Sequence, residues 1–280
     1  MRKSLRRFKR RLTHYRSAVG PKPGPDGFLY SWVNEQVLEM ADNGMRVPYA
    51  WGMLQGALLG AGLGFPRVSM VEFGVAGGNG LVAMETIAGF IEKRLDIGID
   101  IYGLDSGAGL PPPKDYRDVP NLCSSGLYAM DQAKLRARLH RTELVLGDIK
   151  DTVDEFAATM RAPLAFLACD FVLYSATAQG LKILDAPEQA LLPRVHCYFD
   201  DVLGFTYGDD NGERLAIHEF NRAHAQRKIS PIYGLRHYVH SEFSSDMWVE
   251  KFWIGHVFDH SLYTRRDPLV QGHDLALNPS

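Results

Sequence analysis

Cysteine is scarce in this sequence, with three in 280 residues, and long apolar runs are missing. Cys123, Cys169 and Cys197 lie far apart without a CxxC pair or a Cys/His ligand spacing, which argues against a zinc site and against a disulfide framework. No stretch approaches the roughly 20 consecutive apolar residues of a membrane-spanning helix. Because 46% of the residues are hydrophobic and 23% are charged, we expect a cytoplasmic protein with a buried core.

Acidic residues are absent from positions 1–16, which carry eight of the 31 Lys and Arg residues and leave the remainder net acidic. This basic arm could form a cationic helical face that contacts anionic lipid or nucleic acid weakly, or it could be a solvated terminus. No apolar core follows it, so a secretory signal is not predicted, whereas the composition leaves a mitochondrial transit peptide open. Residues 21–27 are rich in proline and glycine, so we predict an arm with linker over 1–27 and one folded domain over 28–280.

From residue 68 onward, short apolar runs alternate with longer amphipathic stretches, as in a parallel sheet with crossover helices. The fold class is therefore α/β, with a doubly wound, Rossmann-like, mostly parallel seven-stranded sheet. N-terminal helical additions are expected before it, and these could also mediate a homodimer. The predicted strands are 68–73, 99–104, 143–146, 164–169 and 195–199, with a later pair near 236–240 and 251–258. The predicted helices are 28–41, 49–61, 79–94, 128–139, 151–160, 176–191 and 212–225.

A glycine-rich turn connects the first predicted strand to the following helix. It contains Glu72, then Gly74, Gly77, Gly78 and, after Asn79, a fourth glycine. Glycine lets the backbone approach a ligand without a Cβ atom in the way, and the following helix offers free N–H groups. The turn therefore predicts a site for a nucleotide-like ligand, although glycine clusters also serve purely as turns.

Two further acidic residues follow the next two predicted strands. Asp105, followed by Ser106, ends the second strand, where a carboxylate can accept hydrogen bonds from both hydroxyls of a ribose. Asp148, followed by Ile149, comes after the third strand, where it could accept a hydrogen bond from an adenine amino group. An aspartate in such a position is also a common helix cap, so this simpler role stays open for Asp148.

Three more carboxylates follow the fourth and fifth predicted strands. Asp170, Asp200 and Asp201 are expected to converge, because those strands are adjacent in the usual sheet order. Crowded carboxylates repel each other unless a cation or proton intervenes, and all-oxygen ligands suit Mg²⁺. We therefore predict a magnesium site that orients a substrate hydroxyl and lowers its pKa. The alternative is that Asp200 and Asp201 cap a turn.

The ordered succession of these motifs over residues 68–220 resembles the macrocin O-methyltransferase family of class I S-adenosylmethionine-dependent methyltransferases. That resemblance implies the class I methyltransferase type of sheet and methyl transfer to a hydroxyl of a sugar or glycosylated small molecule. It also implies that Glu72 and the glycines hold the methionine portion of the cofactor. Asp105 would then hold the ribose, and Asp148 with Ile149 the adenine. By the same resemblance the metal ligands are Asp170, Asp200 and Asp201. We assign Asp170 and Asp200 a catalytic role as well, and Asp170 also a place among the cofactor-binding residues.

One departure from that family concerns the expected general base. The family commonly has Asp-x-Asp before Leu-Tyr, but this chain has Asp170 and then Val172, which cannot accept a proton. Losing such a base costs roughly 10²–10⁴-fold in rate unless another group replaces it. Histidine is the natural replacement, and we assign His237 this catalytic role, with His240 as an alternative and His196 assigned to packing. A cofactor-binding protein that has lost turnover is the competing hypothesis.

Two other functions are weighed against this one. Residues 78–83 satisfy the GxGxxA pattern of nicotinamide-dinucleotide enzymes, but they begin several residues too late after the strand. A nucleic acid as methyl acceptor would use the basic arm, but the acidic remainder offers no basic groove with interleaved aromatic residues.

Overall fold

The computed structural model describes residues 25–265, with side chains from residue 30 onward. The basic arm and its possible lipid or nucleic-acid contact therefore lie outside the described residues. The first helix, α1, begins at Pro25, three residues before the predicted start of the domain, and proline is well suited to the first turn of a helix. No helix in the described part of the chain is long and apolar enough to cross a membrane.

Two helices precede a sheet whose strands alternate with helices. The helices are α1 (Pro25–Asp42), α2 (Val47–Leu63), α3 (Asn79–Glu92), α4 (Gln132–Arg136), α5 (Ile149–Thr159), α6 (Tyr174–Gly180) and α7 (Gly212–Ala223). The strands are β1 (Arg67–Phe73), β2 (Gly98–Asp105), β3 (Glu143–Leu146), β4 (Leu164–Cys169), β5 (Leu191–Phe199), β6 (Arg227–Pro231) and β7 (Phe252–Val257).

The seven strands form one sheet in the order β3-β2-β1-β4-β5-β7-β6. Strands β1 to β5 are parallel, whereas β7 runs antiparallel to both β5 and β6. The α/β class, the mostly parallel seven-stranded Rossmann-like sheet and the N-terminal helices are thus confirmed. The chain reverses its direction of winding between β1 and β4, and ligands in such sheets bind outside the carboxyl ends of the strands at that point.

Helix α2 packs directly against the sheet. Gly56 makes this possible, because an added Cβ atom would lie 2.7 Å from the backbone oxygen of Ala165 in β4. Gly52 and Gly60 lie one turn away on either side. A Cβ atom at Gly52 would lie 2.3 Å from the Phe166 side chain, and one at Gly60 would lie 2.5 Å from the Val68 side chain. Nearly all side chains of α2 are buried, so this helix belongs to the core of the chain itself. The homodimer prediction is untested.

Three elements differ from the sequence prediction. The predicted strand near 236–240 is wrong, because Gly234, with φ +74°, turns the chain into the 3-10 helix Leu235–His237. The strand that pairs with β7 is β6, which lies earlier in the sequence. In β6 only Ile229 is buried, so its sequence carries almost no strand pattern. The predicted helix 176–191 ends at Gly180 and two 3-10 turns follow it, since Pro187 disfavours a helical residue before it. The predicted helix 128–139 is only α4, Gln132–Arg136.

Candidate functional site

A cleft of about 700 Å³ opens at the carboxyl ends of the strands, on both sides of the switch between β1 and β4. Its volume falls within the range of about 300–1,000 Å³ that is usual for small-molecule sites. Every cofactor residue predicted from the sequence lines it, as do all three predicted metal ligands: Glu72, Gly74, Gly77, Gly78, Asn79, Asp105, Ser106, Asp148, Ile149, Asp170, Asp200 and Asp201.

The glycine turn is shaped by contacts that a Cβ atom would obstruct. Gly74 has φ +77°, and a Cβ atom there would overlap the backbone oxygen of Asp170. Gly78, also at φ +77°, precedes the first residue of α3, and a Cβ atom at Gly80 would overlap the carboxylate of Glu72. The turn therefore brings β1, the end of β4 and the start of α3 into contact, and the free N–H groups of α3 face the cleft.

Glu72 and Arg46 both lie in the wall of the cleft, and both contact Tyr49. Glu72 is 2% exposed, and its Oε1 accepts a 2.6 Å hydrogen bond from the Tyr49 hydroxyl. Its Oε2 is buried and has no hydrogen-bond partner among the described residues. Burial raises the pKa of Glu72 to about 8. The guanidinium of Arg46 lies 4.0 Å from the centroid of the Tyr49 ring.

The guanidinium group of Arg46 has no hydrogen bond or ion pair to any residue of the described chain, although Arg46 lines the cleft. A guanidinium carries five N–H donors and is always charged. A partly buried guanidinium of this kind is suited to a ligand carboxylate, just as the unpartnered Oε2 of Glu72 is suited to a ligand ammonium group.

Asp105 anchors the glycine turn from the neighbouring strand. Its Oδ2 accepts hydrogen bonds from the backbone N–H groups of Val75, at 2.8 Å, and Ala76, at 3.0 Å. Its Oδ1 accepts one from Gly107, at 2.6 Å. Because two carboxylate oxygens offer about four acceptor positions, Asp105 can hold the turn and still accept a ligand hydroxyl.

Asp148 caps helix α5, which is the simpler role that the sequence left open. Its side chain accepts a hydrogen bond from the backbone N–H of Lys150, at 3.1 Å, and forms a 2.8 Å ion pair with the Lys150 ammonium. Hydrogen bonds from Lys150, which outweigh the effect of burial, lower the pKa of Asp148. Asp148 and Ile149 also line the cleft, so the cap places both residues at its rim.

The three carboxyl groups after β4 and β5 have different environments. Burial, together with the charges of Asp200 and Asp201, raises the pKa of Asp170 to about 7. Burial also raises the pKa of Asp201, whose Oδ1 accepts a 2.9 Å hydrogen bond from Tyr207 and whose Oδ2 has no partner among the described residues. For Asp200, burial is outweighed by donors, chiefly Lys251 and Tyr198, and the pKa is lowered.

The residues present do not fit the predicted magnesium site. Lys251 Nζ and the Tyr198 hydroxyl both lie 2.8 Å from Oδ1 of Asp200, so a protein cation already pairs with this carboxylate. Tyr207 occupies an oxygen of Asp201. Within residues 25–265, no group of three His, Cys, Asp or Glu side chains is arranged to hold a metal ion.

Val172 stands where the resembled family has its second acid, and its backbone is strained. Its φ of +60° lies in the left-handed region, which is unusual for a β-branched residue. Such strain costs about 1–3 kcal/mol and persists only where the surroundings impose it, often at functional sites. Val172 lines the cleft beside Asp170.

This strain predicts an inverted order of stability for two substitutions. Val172→Gly should have a free energy of unfolding about 1 kcal/mol higher than Val172→Ala, because glycine adopts positive φ freely. At Ala178, inside helix α6, glycine should instead be less stable than alanine by about 1 kcal/mol. Urea unfolding of the three variants and the wild type checks both signs, and equal stabilities for the two Val172 variants would contradict the strain.

The histidines proposed as replacement bases are not brought to the cleft. His237 is exposed in the 3-10 helix Leu235–His237 and does not line the cleft, and neither does His240. His196 packs against Trp51, with ring centroids 6.0 Å apart, as its assignment to packing anticipated. Burial lowers the pKa of His196 to about 3, so the ring is neutral.

Sequence reasoning missed four polar residues of the site. Arg46 and Tyr49 come from the start of α2, Lys251 directly precedes β7, and Glu213 begins α7. Glu213 is fully buried and accepts a 2.9 Å hydrogen bond from the Asp201 backbone. The one available signal was a charged residue placed next to apolar runs, as in Met45-Arg46-Val47, which is too common to identify a site.

No family model and no curated protein matches the sequence. Among solved structures, the calicheamicin methyltransferase CalS11 is 21% identical over 78% of this chain and 93% of its own, with a TM-score of 0.48. The apo form of CalS11, a TDP-rhamnose 3'-O-methyltransferase, is 19% identical over 78% and 95%, with a TM-score of 0.41. An O-methyltransferase from Bacillus cereus in complex with SAH is 14% identical over 78% and 87%, with a TM-score of 0.33. Because these similarities are distant, the function has to be argued from the geometry of the cleft.

Proposed function

We propose that this protein is an S-adenosylmethionine-dependent methyltransferase that methylates a hydroxyl of a sugar or glycosylated small molecule. The observation that carries the proposal is the pairing of an unpartnered buried carboxylate oxygen, on Glu72, with the unpartnered guanidinium of Arg46 in one cleft. An amino acid carries both complementary charges, and S-adenosylmethionine ends in one.

The remaining parts of the cofactor match the rest of the cleft. The glycine turn and the N-terminus of α3 border the amino acid portion, Asp105 with Ser106 lies at the position for the ribose hydroxyls, and Asp148 with Ile149 forms the rim for the adenine. In this arrangement neighbouring strand ends bind successive portions of one nucleoside. The unpartnered groups of Glu72 and Arg46 favour a sulfonium nucleoside over a nicotinamide dinucleotide, which carries no amino acid end.

The bound cofactor supplies an electrophilic methyl group on a sulfonium leaving group, so the protein mainly has to align the acceptor and take up its proton. Asp170 is suited to this proton transfer. Its carboxyl group lines the cleft and has a pKa of about 7, close to the pH at which a general base works best. Asp200 and Asp201 lie beside it and can accept hydrogen bonds from a diol.

The loop between β5 and α7 borders the acceptor side. Tyr207 is fixed to Asp201 by its hydroxyl, whereas the Phe205 side chain is fully exposed. Aromatic rings of this kind stack on the apolar faces of sugars, and closure of the loop would exclude water from the reacting groups. The valine at position 172, which cannot accept a proton, motivates one competing function, a cofactor-binding protein without turnover.

Transfer of a labelled methyl group to a panel of glycosides separates these two functions. We expect turnover by the wild type and a loss of about 10²–10⁴-fold in kcat for Asp170→Asn, with unchanged affinity for S-adenosylhomocysteine (SAH). Asp151→Asn, an exposed aspartate on α5 outside the cleft, is the matched control and should keep full activity. Tight SAH binding without transfer to any acceptor would establish the competing function instead.

A further inference from the structure

We propose that Lys251 is the built-in cation of the acceptor site, which holds Asp200 in place and makes the site independent of a divalent metal. The effect of Lys251 on methyl transfer rests on the proposed function. Its effect on Asp200 and on metal binding concerns only residues of the chain itself.

The antiparallel strand β7 brings Lys251 to this position. Phe252, its first residue, pairs with Tyr198 of β5, so the preceding residue lies beside the carboxyl end of β5, where Asp200 begins the next turn. The Lys251 side chain is only 15% exposed, and its ammonium lies 2.8 Å from Oδ1 of Asp200. A charge held this closely and shielded from water is a fixed feature of the site.

Lys251 does not itself line the cleft, whereas Asp200 does. It therefore acts as a positioning residue through Asp200. The Tyr198 hydroxyl donates to the same carboxylate oxygen from the other side, at 2.8 Å, which fixes the orientation of the carboxylate. The plane of Asp200 is thereby set before any acceptor arrives, which is the kind of preorganisation that alignment of a hydroxyl requires.

The same pair of contacts opposes a bound dication. A divalent ion shared by Asp170, Asp200 and Asp201 would lie close to the Lys251 ammonium, and like charges at such distances repel strongly in a partly buried site. Lys251 thus supplies a positive charge to Asp200 from within the chain.

The test compares Lys251→Met, which keeps side-chain length without charge, with Lys251→Arg, which keeps the charge. Mn²⁺ binding to the full chain is measured by electron paramagnetic resonance, alongside SAH affinity by calorimetry and methyl transfer with and without chelator. Lys182→Met, an exposed lysine remote from the cleft, is the matched control.

We expect the wild type, Lys251→Arg and Lys182→Met to bind Mn²⁺ weakly and to ignore the chelator. Lys251→Met should bind Mn²⁺ at least tenfold more tightly, and Asp200→Asn added to it should remove that gain. Stoichiometric, tight Mn²⁺ binding by the wild type would overturn the proposal without any variant, and so would an unchanged Mn²⁺ affinity in a Lys251→Met protein that still binds SAH. Failure of all proteins to bind SAH would instead refute the proposed function.

Discussion

Gly74→Ala should lower folding stability by about 3–5 kcal/mol and abolish measurable SAH binding. The added methyl group meets two penalties at once. The residue has φ +77°, which disfavours any side chain, and the Cβ atom would overlap the backbone oxygen of Asp170, which cannot move without distorting the end of β4. For a domain of this size, thermal unfolding should shift by about 2–4 °C per kcal/mol.

Gly77→Ala is the matched control from the same turn. A Cβ atom at Gly77 has no atom within 4 Å and its φ is not in the left-handed region, so its stability should stay within about 0.5 kcal/mol of the wild type. Thermal melts and SAH titrations of both variants make the comparison. Equal losses in the two variants would show that close contact between the turn and β4 does not shape the cleft.

Cofactor affinity should rise about 50-fold between pH 6 and pH 8, and Glu72→Gln should remove most of that rise. Burial raises the pKa of Glu72 to about 8, so below this pH the free protein holds a proton on the carboxyl group. A ligand ammonium group binds the ionised form and must displace that proton, which weakens binding about tenfold for each pH unit below 8. Above pH 8 the rise that is due to Glu72 should end.

The Glu72→Gln variant also distinguishes the pH effect of Glu72 from the effects of the groups near it. Tyr49, Arg46, Asp105 and Asp170 all act on its charge. These groups remain in Glu72→Gln, so the difference between the two pH profiles belongs to Glu72.

Calorimetry in two buffers of different ionisation enthalpy should show proton release at pH 7 for the wild type and much less for Glu72→Gln. Glu35→Gln, an exposed carboxylate on α1 outside the cleft, should behave like the wild type. Identical pH profiles for wild type and Glu72→Gln would contradict contact between Glu72 and a cationic group.

The sequence predicted the nucleotide side of the site well because the chemistry there follows directly from strand ends. Gly74, Asp105 and Asp148 each come right after an apolar run, and parallel strands bring such positions to one edge. The boundaries of β3 and β4 agree with the prediction to the residue.

The acceptor side was harder to predict, because its charges come from distant parts of the chain. Lys251 reaches Asp200 only because β7 inserts antiparallel between β5 and β6. A local pattern does not encode such an insertion, and β6 with its single buried side chain gives no periodic signal. The magnesium prediction considered the three carboxylates without the lysine that pairs with one of them. On the cofactor side, Arg46 was missed for a similar reason, since it precedes the first strand.

Titration of the folded wild-type protein with SAH tests the central claim most directly, with NAD as the comparison ligand. The cleft geometry predicts one SAH per chain with a Kd in the micromolar range, corresponding to roughly −8 kcal/mol, and no binding of NAD. A cooperatively folding protein that binds no SAH at about 1 mM, or that prefers NAD, would contradict the account.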